Sequence, residues 1–298
     1  MHNRRGLNWA DYFYPIYNWQ HIPLLHFVSL MRQQTNKYWP GIILALAIIA
    51  IHSSIILVTF LGVLPTVLAI LLLSITYHLA YTAFHEAAHG LLGKGLSPVL
   101  GGILGQIMGV SFAAHNYLHN KSHHFENTRE TKGPDNSSVV KSFMQVLMSQ
   151  YLNIFFLKKG SGKTALWAFG ELIFIFGSRL FLISHTQNDG LIYVLILAPI
   201  LGGVMIYLVF DCFVHRATPD GRATITHLFP KNIHGVISCL LAFQNYHVVH
   251  HVDPNTPFHI YPARFQILVY QNQLKQHELK IWIFKDWRQL IPSFAKSF

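Results

Sequence analysis

Four stretches of the chain are almost continuously apolar, and their spacing sets the architecture. Residues 41–61 form the first. About twenty apolar residues suffice for a helix to cross a ~30 Å hydrocarbon layer. The run breaks at Gly62 and Pro65, and residues 66–84 bring the chain back. Residues 164–184 and 190–210 repeat the out-and-back pattern around the short polar turn 185–189. A fifth apolar stretch, 96–114, is different. It contains Gly101, Gly102, Gly105 and Gly109 and ends in histidines that must return to the side it left. That predicts a shallow, buried or re-entrant helix pair, not another crossing. Residues 1–40 mix polar side chains with Trp9, Tyr12, Tyr14, Tyr17, Trp19, Tyr38 and Trp39. Such amphipathic rings favour the headgroup layer, so an interfacial lead-in is expected there.

These elements predict an all-α integral membrane protein with about four transmembrane helices, added interfacial or re-entrant helices, and a histidine-rich cap. The expected organisation is one domain over 1–298: an interfacial segment 1–40, a first helical hairpin 41–84, a histidine-box region 85–163, a second hairpin 164–212 and a cap 213–298. There is no internal repeat and no low-complexity tract.

Composition agrees with the pattern: apolar residues make up 52% of the chain and charged residues only 11%. That excludes an ordinary soluble globule. Of the 22 Lys and Arg residues, only Arg179 lies within a predicted crossing and none lies in the two far-side turns. By the positive-inside rule the remaining basic residues mark the cytoplasmic side, and every histidine cluster falls on that side too. The net charge of +10 is carried by segments that also hold aromatic and apolar anchors, which suits a membrane surface and excludes nucleic acid as the partner. Met1 to Gly6 is basic but lacks a following apolar core, so no cleaved signal is expected. Cys212 and Cys239 form no spaced framework and are too few for a cysteine-held cluster.

Twenty histidines are the anomaly. In Phe84-His85-Glu86-Ala87-Ala88-His89 the two histidines are four apart, on one helical face, with imidazoles able to converge on one ion. Taken alone, His-Glu-x-x-His is also the zinc-protease signature, with Glu86 as the base. Its company decides. His115-Asn-Tyr-Leu-His119-Asn-Lys-Ser-His123-His124 follows, in which His119 and His123 share a face and His124 points about 100° away. Asn245-Tyr-His247-Val-Val-His250-His251 repeats the logic, and Asp211 and His215 add another pair four apart at a crossing's end. A zinc site is full with three or four protein ligands, whereas His85, His89, His119, His123, His124, His215, His247, His250 and His251 suffice for two metals with positions left for oxygen. A non-haem di-iron site at the membrane surface is the reading that fits. His115, Asp211, Glu86 and Asn245 are placed beside the metals without ligating them. A lone histidine is ordinarily a surface or hydrogen-bonded core residue. That reading is kept for His2, His21, His26, His52, His185, His227, His234, His259 and His277, all expected at the surface. His78 is expected to bond a neighbouring helix.

The boxes His85-x-x-x-His89, His119-x-x-x-His123-His124 and His247-x-x-His250-His251 resemble the three-box pattern of the membrane fatty acid desaturase superfamily. The resemblance covers roughly residues 40–265. It implies four crossings and a cytosolic di-iron site bound by about nine histidines, with His215 as the ligand supplied after the fourth crossing and Asp211 reaching the metal through water. Asp211-Cys-Phe-Val-His215-Arg216 and Gln244 to His251 look closest to cyanobacterial-type β-carotene hydroxylases and related bacterial desaturases, which implies a bacterial inner membrane. The chain departs from relatives in Glu86, where many carry aspartate, and in Val252-Asp253-Pro254, where carotenoid enzymes often carry a tryptophan.

The function expected from this is an O₂-dependent oxidoreductase that attacks an unactivated C–H bond of a membrane lipid or acyl substrate. Its cofactors would be two Fe ions, with O₂ as co-substrate and an external donor, ferredoxin or cytochrome b5-like, supplying electrons. A fatty acid desaturase is favoured, with a carotenoid hydroxylase as the alternative. A membrane zinc protease leaves the other boxes unexplained. A non-catalytic metal carrier would want ionisable residues inside the crossings, which apart from Arg179 read as apolar.

Overall fold

The four apolar runs form four long helices in the computed structural model, which describes residues 38–120, 162–186, 188–218, 221–224, 226–229, 231–271 and 279–281. They are α1 (Trp39–Phe60), α2 (Thr66–Ala88), α5 (Gly162–His185) and α6 (Asp189–Ile206). Each is long and apolar enough to cross a membrane, α6 together with its continuation to Phe210. Between the pairs lie the shorter α3 (Leu96–Met108) and α4 (Phe112–Leu118). The protein therefore has the all-α architecture of a multi-pass membrane protein. Leu166, Trp167, Phe174, Leu180 and Phe181 of α5 are exposed, as side chains facing lipid would be.

Helix α2 is the hub, packing against α1, α3 and α6. It runs four residues beyond the predicted end at 84, because His85-Glu86-Ala87-Ala88 contains no helix breaker and three strong helix formers. It stops where Gly90 takes φ +71°, a conformation that glycine adopts without strain. The first box is thus helical down to its second histidine.

The stretch expected as a shallow, buried or re-entrant pair forms two short helices in place of a crossing. Thirteen residues of α3 rise only about 20 Å, too short for a crossing. Gly109, left-handed at φ +80°, ends α3 and turns the chain. Ser111 then starts α4, its Oγ accepting the Ala114 N–H at 3.1 Å. The Phe112 ring occupies the space where a Cβ on Gly101 would sit, so α4 lies directly on α3.

After α6 the chain loosens into a π-helical segment, Tyr207–Phe213. It continues into a cap holding two strand pairs that the sequence pattern had not suggested. Strand β1 (His215–Thr218) pairs antiparallel with β2 (Gly221–Thr224), and β3 (Thr226–Leu228) pairs in parallel with β4 (Leu279–Ile281). The cap helices are α7 (Lys231–Leu240), α8 (Val248–Val252) and α9 (Tyr261–Tyr270). Tyr246, Val249, Phe258, Tyr261, Phe265 and Leu268 form the cap's own core, against which Leu44 of α1 and Leu79 of α2 pack. The cap is therefore seated on the first hairpin.

Candidate metal centre

Four histidines from three separate parts of the chain meet at the end of α2. His85 and His89 come from the last turn and C-terminus of α2, His119 follows α4, and His250 lies in α8. One ligand nitrogen from each lies within 4.8 Å of all the others. The His85 ring centroid is 4.2 Å from that of His250, 4.5 Å from His119 and 5.0 Å from His89. His250 is fully buried, and His85 and His119 are buried as well. Bringing four imidazoles this close serves no packing purpose that apolar side chains would not serve better. As an all-nitrogen donor set it suits iron, zinc or copper.

Electrostatics point the same way. Burial first, then the neighbouring His85, His247, His89 and His251, push the His250 pKa well below the ordinary 6.5. A neutral imidazole with a lone pair to give is the form a metal needs.

The rest of the third box surrounds this cluster. His247 is 5.1 Å from His250 between ring centroids and 6.1 Å from His85, and His251 is 5.0 Å from His247. His247 Nδ1 lies 2.9 Å from the Gln244 side-chain oxygen. The imidazole donates there, which leaves Nε2 as its ligand atom. Gln244 was not among the residues singled out from sequence: a partner three positions before a box has no spacing signature of its own. Asn245, the neighbour that was singled out, donates instead to the His227 carbonyl at 3.1 Å and braces β3.

His115 stacks on His119 at 5.2 Å with planes 11° apart, behind the cluster, between Phe84 and Tyr81. Glu86 is 1% exposed and accepts the Phe258 N–H, tying α2 to the cap. Its other carboxylate oxygen is buried without a hydrogen-bond partner among the described residues. Burial, followed by the charges of Glu86 and Asp253, holds the Tyr261 phenol well above its usual range. His123 and His124 lie outside the described residues. Asp211 and His215 fall in the π segment and in β1, and their side chains are outside the described set.

Three histidines expected at the surface are buried. His52 lies against Tyr77, with ring centroids 5.8 Å apart. His227 stacks on Phe213 and bonds its carbonyl. His234 accepts the Phe229 N–H at Nδ1 and faces the Tyr246 hydroxyl through Nε2 at 2.5 Å. Apart from Phe229, which is near His234 in the chain, their partners come from other elements, and only the fold brings them together. His185 is exposed, as expected. His78 places Nε2 2.7 Å from the Leu240 carbonyl, joining α2 to the end of α7.

Four apolar helices with a buried imidazole cluster at one end define a membrane protein with a histidine metal site. The family model described as fatty acid desaturase matches residues 59–285, well over half of the chain. The chain belongs to the fatty acid desaturase family, and with the cluster this makes it a membrane oxidoreductase of the desaturase and hydroxylase type. No curated protein sequence gives a significant match.

Proposed function

We propose that this protein is an O₂-dependent fatty acid desaturase whose oxidising centre is a pair of irons held by the histidine boxes. The observation that carries the reading is the convergence of His85, His89, His119 and His250 into one buried cluster. His123, His124, His215, His247 and His251 complete the proposed ligand set. Bound iron would supply the activation of O₂ and the oxidising power to remove hydrogen from an unactivated C–H bond. Overall, two hydrogens from neighbouring carbons, one O₂, two electrons and two protons become a double bond and two waters. No electron carrier is built from the two cysteines, so an external donor, ferredoxin or cytochrome b5-like, is part of the proposal.

The chain's own residues do the rest. Gln244 holds the His247 tautomer. Phe84, Tyr81 and Phe210 wall the cluster on its membrane side, with the Tyr81 and Phe210 rings 4.5 Å apart and Phe210 6.4 Å from His247. Such a wall excludes water and presents an apolar surface to an alkyl chain. The distribution of Lys and Arg supports a cytoplasmic active site, and a bacterial inner membrane is the proposed location.

Expression in a bacterium that makes no carotenoids, with and without added β-carotene and beside a His250→Ala control, tests the proposal. A new unsaturated acyl species absent from the control is the expected result. Hydroxylated carotene in its place would assign the same site to carotenoid hydroxylation. No change in either pool would overturn the proposed substrate and donor.

A further inference from the structure

Away from its ends, where Lys163 and His185 stand, the crossing α5 carries Glu171 and Arg179 in a helix otherwise apolar enough to span a membrane. Ionisable groups are costly there, and both of these are committed to the re-entrant pair. Glu171 Oε2 accepts the Ser111 hydroxyl at 2.6 Å and the Ala113 N–H at 3.0 Å. Ser111 Oγ in turn accepts the Ala114 N–H. Between them, the two side chains satisfy two of the N–H groups that the start of α4 leaves without helical acceptors. At the other end of the turn, Arg179 donates through Nη2 to the carbonyls of Gln106 and Ile107 at 3.3 and 3.1 Å. Gln106 Nε2 also meets Ser178 Oγ.

Helix α4 has seven residues and begins at Phe112, and His119 follows it directly. Such a short helix cannot hold its own position in the bundle; whatever fixes its first turn fixes its last. We propose that Glu171 is a positioning residue: by gripping Ser111 and Ala113 from within the third crossing, it sets the seat of α4 and so the place of His119 in the four-histidine cluster. Arg179 fixes the preceding end of α3, so that the turn between the helices is held from both sides. This rests on the metal-centre reading above but concerns residues outside the boxes. It also gives a reason for acid and base to persist in an apolar helix.

The test uses the purified full chain, stripped of metal and titrated with cobalt(II), whose visible spectrum reports ligand geometry. Cobalt binding by the wild type establishes the metal site, and its absence would overturn that reading independently of Glu171. Glu171→Ala is expected to weaken cobalt binding about 10- to 100-fold, the range typical of lost supporting contacts, and to change the spectrum. Glu171→Gln keeps an oxygen acceptor for both donors and is expected to restore affinity to within a few-fold of wild type. If Glu171→Ala loses helical content, Ser111→Ala takes its place, with a weaker cobalt affinity expected in the same direction. Wild-type affinity and spectrum in the folded variant, with only a lowered melting temperature, would overturn the proposal, because a purely structural role predicts that result.

Discussion

His89 and His119 bring their Nε2 atoms to 2.9 Å although thirty positions separate them in the chain. Between them the chain turns at Gly90, descends as α3, reverses at Gly109 and returns as α4. The contact is therefore made by the re-entrant pair as a whole. Removing the His119 imidazole tests what the contact is for. His119→Ala should keep its helical content yet lose bound metal from this cluster, with turnover down roughly a hundredfold or more. Metal analysis beside circular dichroism separates that outcome from unfolding.

Gln244 supplies a finer probe, because its bond is to His247, beside the four-histidine cluster. Gln244→Leu removes the acceptor that fixes the imidazole's orientation, and outer contacts of this kind are worth about 10- to 100-fold in metal affinity or activity. Gln244→Glu keeps an acceptor oxygen and should lose less. Competition titration with a chelator would rank the two variants.

His234 gives the cap a pH dependence of known sign. Burial lowers its pKa from the ordinary 6.5, and burial lowers that of His259 too. Below about 6.5 the unfolded chain takes up protons that the folded chain refuses, so the stabilising contribution is complete above that pH and declines as the pH falls through the lowered folded values. Melting curves from pH 8 to pH 5 should show the decline. His234→Leu should flatten it. The same substitution leaves the Phe229 N–H without its acceptor and removes the bond to Tyr246, at a cost of about 1–3 kcal/mol.

What sequence carried, and what it hid, divides along physical lines. The crossings were legible because an apolar run long enough for lipid has few other uses, and the boxes because a four-residue spacing places imidazoles on one helical face. The glycines between 101 and 109 were legible as a departure from an ordinary crossing, while the seat of the Phe112 ring over Gly101 emerges only in the fold. Glu171 escaped notice: one acid in a long apolar run leaves the periodicity intact, and Ser111, which it bonds, is sixty positions away. His52, His227 and His234 were misplaced for the same reason, since their spacing resembles that of surface histidines and their partners are backbone groups or rings from other elements. The strand pairs were hidden because runs of three or four residues show no usable alternation.

The central claim, a paired-iron centre in the histidine boxes, is tested most directly by the metal content of the protein purified from iron-replete cells and counted per chain by mass spectrometry. The account predicts close to two irons in the wild type and a clear loss in His250→Ala. One zinc per chain with no iron, unchanged in activity by added iron, would contradict it.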